Sequence, residues 1–442
     1  MSKVNNMDDF EFIDYDNNAD MKAPSAKKKK KKKKRSILQK LVITIEVLIA
    51  VLFAGVIVLY ATPNMTSTIL NSTWGQKFLK SSFGQSFMAS MVDKEGYENV
   101  FDSSYAKDQI KTNEELDLSI LDDYMNIALF GLDKGSAKDR VEGGDSCDCI
   151  MIMSIHKETS DVKILSIYRD TYMKIMGNDG SFRRYYKVNS TIGGELGGAG
   201  AIVNTLNTNL DLNIQDYVMV NFNGIATIID LLGGIEVNIT EGEMEYINGY
   251  LTETREITGI DSPDVTTYGE NIHLNGLQAT AYSRIRKTPI YFEDGTSLNN
   301  DYGRAARQRN VIMKMVAKAK SAGVQNVLKM CDEIFKSDDE IFKTSIPYED
   351  VIKLIPIVLN FSFGETEAFP FTLTTNDELG VYLPSGSTVL ACGFDYNVIQ
   401  LHKFLFPEER YTPSSVVSEI SEDIYYKTGV NTIKLEDYAG TE

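Results

Sequence analysis

Beyond the first sixty residues, arginine is scarce in this chain and unevenly spread. Residues 61–442 hold eleven arginines, and five of them, Arg284, Arg286, Arg304, Arg307 and Arg309, fall between positions 284 and 309. Arg304, Arg307 and Gln308 stand at i, i+3 and i+4, so they share a face in the first turns of a helix. Guanidinium forks gathered at a helix amino terminus would receive a multiply charged anion. Carboxylates and one more arginine stand at the ends of short apolar runs. Asn126–Phe130 leads into Gly131-Leu132-Asp133, Ile150–Ile155 follows Asp145-Ser146-Cys147-Asp148, and Val162–Ile167 leads into Tyr168-Arg169-Asp170. If the three runs are strands of one sheet, these polar ends can meet at one edge, where open α/β folds bind ligands. Taken singly, each aspartate reads as a turn residue or helix cap and each arginine as solvated surface. Only their assembly points to a site.

The elements that would position them are legible as runs and periods. The three apolar runs predict buried strands, while Gly200–Leu210, Gly224–Leu232 and Arg304–Ala319 carry helical periodicity. Their alternation predicts an α/β or α+β sandwich around a central sheet. Residues 61–120, rich in Ser, Thr and Asn, read as an external spacer or accessory segment. The main domain is expected over 121–408, with Ala368–Leu373 and Glu378–Leu383 as further strands, and 409–442 as a polar tail. The runs Ile225–Leu232 and Ile312–Val316 are candidates for lining an apolar cavity, though aliphatic residues at helical spacing are ordinarily core.

The 442 residues carry 45 Lys+Arg against 62 Asp+Glu, but the net −17 describes neither part of the chain. Residues 1–60 hold 12 basic and 7 acidic residues, net +5, which leaves 33 against 55, net −22, for the rest. Positions 1–36 read as a disordered acidic tail ending in eight consecutive lysines, Lys27 to Lys34, and Arg35. An apolar span follows within 37–60, and roughly 20 such residues cross about 30 Å of hydrocarbon as a helix. The basic run before it predicts a single-pass anchor with a cytoplasmic amino terminus and everything after residue 60 outside the membrane. Nucleic-acid binding by the lysines is the weakest reading, between acidic residues and a membrane. Three histidines, none in ligand spacing, leave no zinc site or Ser/His hydrolase in view, and neither a Walker A motif nor a dinucleotide fingerprint is present. Cys147 and Cys149 flank Asp148 too closely for a mutual disulfide, a softer metal there is a minor reading, and pairing of Cys331 with Cys392 stays open.

Seven ordered stretches resemble the LytR-CpsA-Psr family of membrane-anchored cell-wall ligases. They are Asn126-Ile127-Ala128-Leu129-Phe130-Gly131-Leu132-Asp133, Ser146-Cys147-Asp148-Cys149-Ile150-Met151, Ser166-Ile167-Tyr168-Arg169-Asp170-Thr171, Lys187-Val188-Asn189, Asp230-Leu231-Leu232-Gly233-Gly234-Ile235-Glu236-Val237, Ala281-Tyr282-Ser283-Arg284-Ile285-Arg286 and Asp301-Tyr302-Gly303-Arg304-Ala305-Ala306-Arg307-Gln308. The resemblance implies an α-β-α sandwich with a central mixed sheet, holding a polyprenyl pyrophosphate carrier in an apolar tunnel. It implies transfer of a carrier-linked glycopolymer (teichoic acid, capsule or a similar polysaccharide), with its phosphate, to peptidoglycan. By position, Asp133 and Asp148 would hold Mg²⁺ or Mn²⁺. Arg169, Lys187, Arg284, Arg286, Arg304, Arg307 and Gln308 would contact the pyrophosphate, with Arg169, Asp301 and Arg304 nearest the chemistry. Asp301 is a candidate base for the acceptor hydroxyl, with helix capping or orientation of Arg304 the weightier account. Two positions depart from the family: Ser146 stands where arginine is usual, with Lys134 or Arg140 as substitutes, and Tyr168 where proline is usual. A carrier-binding regulator without catalysis and a hydrolase of the carrier are the alternatives.

Overall fold

The computed structural model describes residues 100–132, 147–192, 197–292, 294–337 and 342–430, together with 75, 77, 78, 81 and 84. The chain divides into two units, Met1–Pro63 and Asn64–Glu442, and all of these residues belong to the second. The lysine run, the expected span 37–60, Asp133, Lys134, Arg140, Ser146 and residues 431–442 lie outside the described residues. Among the described residues no helix is long and apolar enough to cross a membrane.

Six strands form the central sheet: β1 (Tyr124–Leu132), β2 (Cys147–His156), β3 (Asp161–Ile167), β4 (Asp216–Val220), β5 (Phe342–Thr344) and β6 (Ser362–Phe369), in the order β5-β4-β1-β2-β3-β6. β1 runs parallel to β4 and β3 parallel to β6, whereas β2 and β5 run against their neighbours, so the sheet is mixed. The three central strands are near-continuous apolar runs because both faces are covered. Ala128, Phe130, Ile150, Ile152, Leu165 and Ile167 meet helices α1 (Ala199–Leu210), α7 (Phe394–Leu405) and α8 (Ser415–Thr428). Ile127, Met151, Ile155, Val162 and Ile164 face the other way, onto Ile312, Met313 and Val316 of α5 (Asn300–Phe335) and Val351 and Ile357 of α6 (Tyr348–Val358). Each buried aliphatic side chain contributes about 1.5–3 kcal/mol, and together they hold helices on both faces. The expected α-β-α sandwich is thus observed. Helices α2 (Phe222–Leu231), α3 (Glu241–Thr258) and α4 (Gly276–Ser283) build a satellite core around Ile229, Ile247, Leu251 and Leu277 against the ribbon Ile235–Ile239/Gly269–Leu274. α5 is interrupted at Gly323, whose φ of 78° and ψ of 166° end its first helical stretch beyond the predicted Ala319.

Two expectations are corrected and one open question is answered. Glu378–Leu383 is not a strand: Gly380 adopts φ 67° and turns the chain, while the strands of that region are Leu373–Thr375 and Val389–Ala391. The domain also exceeds 121–408 at both ends. Val100 and Ile110 are buried in the cores, and the supposed polar tail forms α8, which buries Val417, Ile420 and Ile424. Lastly, Cys331 and Cys392 are both free, as are Cys147 and Cys149.

Asp211 ties these ends together. It stands at φ 49° just past α1, fully buried, and accepts bonds from Asn113 Nδ2 (2.5 Å), Tyr411 Oη (2.6 Å), and the backbone N (2.9 Å) and Oγ (2.8 Å) of Ser414. Beside it His402 stacks on Tyr411 at 3.5 Å and bonds the Leu210 carbonyl through Nε2 at 2.9 Å. Burial pushes its pKa down from 6.5 to about 4, so the ring is neutral in the fold. A depressed histidine stabilises fully above its unfolded pKa and loses that contribution as the pH falls from 6.5 towards 4, here about 3 kcal/mol. His402→Gln keeps a donor for Leu210 and cannot titrate, so its melting temperature should fall less steeply than that of the parent across that window; equal slopes would contradict the assignment.

Candidate functional site

Strand pairing brings the first two site residues together. β2 and β3 are antiparallel with Ile150 opposite Ile167, so continuing the ladder by two residues sets Asp148 opposite Arg169. Arg169 Nη1 makes a short ion pair with Asp148 Oδ1. The turn that carries Arg169 is closed by Thr171, whose backbone N (2.9 Å) and Oγ1 (2.6 Å) both donate to the Tyr168 carbonyl. The site therefore forms at the carboxyl end of β3 and the start of β2, the edge expected for an α/β ligand site.

Two further arginines arrive from other elements. Arg304, in the first turns of α5, reaches Asp148 Oδ2 at 3.3 Å and Asp301 Oδ1 at 3.5 Å. Arg286, just after α4, reaches Asp301 Oδ1 through Nε at 3.1 Å and Asp148 Oδ2 at 3.7 Å. Asp301 also faces Arg169 Nη2 at 3.4 Å. Helix α5 is capped by the side chain of Asn299, not by Asp301, which leaves the Asp301 carboxylate to orient the arginines. Gly303 lets the chain turn tightly into α5: a Cβ there would stand 2.8 Å from the Leu298 carbonyl oxygen.

Three guanidiniums around two carboxylates leave donors over. Arg169 Nε and Arg304 Nε are buried without a hydrogen-bond partner, and so is Asp301 Oδ1, which lies near Arg286 Nε but is not aligned for a bond. Buried polar atoms without partners cost about 1–3 kcal/mol each, so such a cluster is suited to a ligand that supplies them. The arginines differ electrostatically. Burial works against the charge of Arg169, but Asp148 and Asp301 outweigh it and raise its pKa. Arg304 is held below its ordinary value by deeper burial and by the adjacent Arg169 charge.

Arg169, Arg286 and Asp301 of the cluster line a cleft of about 530 Å³. Lys187 lines it and pairs with Asp170 at 3.2 Å. Lys287 and Asn300 also line it, Tyr168 and Tyr302 meet edge to face at 4.7 Å, and Thr375, Ser387, Thr388 and Val389 complete the lining. A second cleft of about 480 Å³ has Ile239, Tyr282, Ile290, Phe292 and Met313 in its walls, with Glu243, Glu270, Arg309 and Lys314 among its polar lining. Of the runs expected to line a cavity, Met313 and Lys314 of Ile312–Val316 do so among the described residues.

Of the sequence-level candidates, Arg169, Arg286, Arg304, Asp148 and Asp301 converge, with Lys187 alongside. Arg307 and Arg284 do not. Arg307 is completely buried and pairs with Glu243 at 2.8 Å. Arg284 turns to Glu253 at 3.0 Å and Thr254 Oγ1 at 2.8 Å, over the ring of Phe222. Gln308 lies half-buried one turn past Arg304, outside the ion-pair network. Asp170 was missed although it stands in the strand-end triplet Tyr168-Arg169-Asp170, and nothing local in the sequence marks Lys287 or the hydroxyl wall at Thr375 and Ser387. The two thiols beside Asp148 face opposite sides of the sheet, Cys147 into the α1 layer and Cys149 into the α5 layer, so they cannot share a soft metal. Among the described residues no group of three or more His, Cys, Asp or Glu is placed to hold a metal.

The fold is an α-β-α sandwich that gathers guanidinium groups from three elements at one sheet edge. The chain belongs to the LytR_cpsA_psr family, whose model matches residues 90–385. It is 31% identical over 261 residues to the polyisoprenyl-teichoic acid–peptidoglycan teichoic acid transferase TagU of Enterococcus faecalis, covering 59% of this chain and 72% of that protein. It is 26% identical to biofilm regulatory protein A of Streptococcus mutans, over 58% of this chain and 61% of that protein, so it spans about three fifths of the latter. The solved structure of protein gbs0355 from Streptococcus agalactiae superposes with a TM-score of 0.50 at 20% identity, over 72% of this chain and 98% of that one, a likeness of fold.

Proposed function

We propose that this chain is a phosphotransferase that moves a glycopolymer, with its phosphate, from a polyprenyl pyrophosphate carrier to a peptidoglycan hydroxyl. The observation that carries the reading is the convergence of Arg169, Arg286 and Arg304 on Asp148 and Asp301 with buried N–H groups left over. The name of the Enterococcus relative supports the same chemistry. In the reaction the acceptor oxygen attacks the sugar-side phosphorus, the bond to the bridging oxygen breaks, and polyprenyl phosphate departs while the acceptor proton is lost. Negative charge grows on the departing phosphate, and fixed guanidiniums stabilise it without reorganisation. Phosphate oxygens would accept from the guanidinium N–H groups that Asp148 and Asp301 leave over. Lys187 and Lys287 extend positive charge along the cleft, and the hydroxyl wall of Thr375 and Ser387 faces the sugar side.

The oxygen donors of Asp148, with Asp133 beyond the described residues, suit Mg²⁺ or Mn²⁺, which would add charge neutralisation at the pyrophosphate. The second cleft, with Ile239, Tyr282, Ile290 and Met313 in its walls, offers apolar surface to the prenyl chain. A span at 37–60 would anchor the domain outside the membrane, its amino terminus in the cytoplasm, beside the lipid carrier and the wall.

Asp301 acts here through the arginines. Asp301→Asn removes the charge that aligns three guanidiniums, so the turnover rate with a synthetic prenyl-pyrophosphate-linked saccharide should fall about tenfold, with the shape of the pH–rate profile kept. Loss of the acid limb of that profile would instead make Asp301 the general base. The reading as a whole is tested by acceptor dependence. Release of prenyl phosphate should rise when peptidoglycan fragments are added, and release unaffected by acceptor would favour hydrolysis.

A further inference from the structure

Arg307 belongs to the sequence cluster but not to the cleft, and its surroundings suggest a different task. Its guanidinium is wholly buried, and Glu243 Oε1 accepts from Nε at 3.0 Å and from Nη2 at 2.8 Å. The remaining donors reach backward to two carbonyls, Ile285 at 3.4 Å and Thr288 at 3.0 Å. Those residues bracket Arg286 and Lys287, which line the cleft. Glu243 is itself fixed, since its other oxygen accepts the Thr240 backbone N–H at 2.9 Å in the capping box of α3.

We propose that Arg307 is a positioning residue: anchored on Glu243, it grips the main chain on both sides of Arg286 and Lys287 and so presents their charges to the phosphate cleft. A planar fork is required, because one group must meet a carboxylate and two carbonyls in fixed directions, and an ammonium cannot. The pair also need not exist for stability, since replacing a buried ion pair by apolar side chains is often neutral or stabilising. The inference rests on the reading of the cleft as a phosphate site.

The test measures binding of inorganic pyrophosphate to the full chain in detergent by calorimetry, beside the melting temperature. Arg307→Lys should weaken binding about tenfold. In an Arg286→Ala background the same change should cost little more, because Arg307 acts through Arg286. The double variant Glu243→Met/Arg307→Met guards against a folding failure: it should melt within a few degrees of the parent and still bind weakly. Equal losses from Arg307→Lys in both backgrounds, or full affinity in the double variant, would overturn the proposal. Arg169→Ala separates the two claims. If it leaves pyrophosphate binding intact, the phosphate site itself is wrong and the inference falls with it; if it abolishes binding while Arg307→Lys does not weaken it, only the positioning role fails.

Discussion

Arg169→Ala should abolish transfer and also loosen the fold. Arg169 contacts both site carboxylates, and these charges hold its guanidinium more firmly protonated in the folded chain than outside it. Its charge therefore stabilises the native state. Removing it deletes the pair with Asp148 and leaves that half-buried carboxylate to Arg286 and Arg304 alone, at a cost of about 2 kcal/mol. The catalytic loss is larger. A positioned donor to developing oxyanion charge is worth about a hundredfold to a thousandfold in rate, and the Nε–H of this one makes no hydrogen bond, with Asp170 Oδ2 3.5 Å away. Single-turnover rates and thermal melts should both fall, and a variant with near-normal turnover would remove Arg169 from the chemistry.

Arg304→Met should separate those two effects. Arg304 is more deeply buried, with only 5% of its side chain exposed, and burial and the neighbouring Arg169 hold its pKa below the ordinary value. Its charge is thus carried at a cost to the folded state. An unbranched apolar side chain of similar length should fill the same space, relieve the repulsion and leave Asp148 still paired with Arg169. The melting temperature should stay level or rise by a few degrees, while transfer falls about a hundredfold or more. A large drop in melting temperature would show that Arg304 is a structural ion-pair partner. The opposite signs on stability for two arginines a few ångströms from the same carboxylate make the pair a stringent check.

What could be read from the sequence followed from burial. β1, β2 and β3 are covered on both faces, so their apolar runs were visible, and the polar residues at their ends marked the edge. The contact between Asp148 and Arg169 was not visible, because it depends on the β2/β3 register. Arg304 and Arg307 show the limit of helical spacing. Residues three apart differ by about 60° around the axis, and at the start of α5 that angle separates the sheet edge from the Glu243 capping box. Residue type records neither burial nor partner, so both looked like phosphate ligands. The segment Glu378–Leu383 alternates like a strand but turns at Gly380. Conversely, Val417, Ile420 and Ile424 carried helical spacing within what composition alone made a polar tail. Against the net charge of −22 over residues 61–442, three of the scarce arginines, Arg169, Arg286 and Arg304, meet at Asp148.

The central claim is that the arginine edge transfers a phosphate-linked saccharide to a hydroxyl. The most direct measurement incubates the full chain in detergent with a synthetic prenyl-pyrophosphate-linked saccharide, Mg²⁺ and peptidoglycan fragments, and follows the products by mass spectrometry. The account predicts a saccharide joined to the fragment through one phosphodiester, with prenyl phosphate released in equal amount and no joined product from Arg169→Ala. Free saccharide phosphate without any joined product, or an intact donor, would contradict it.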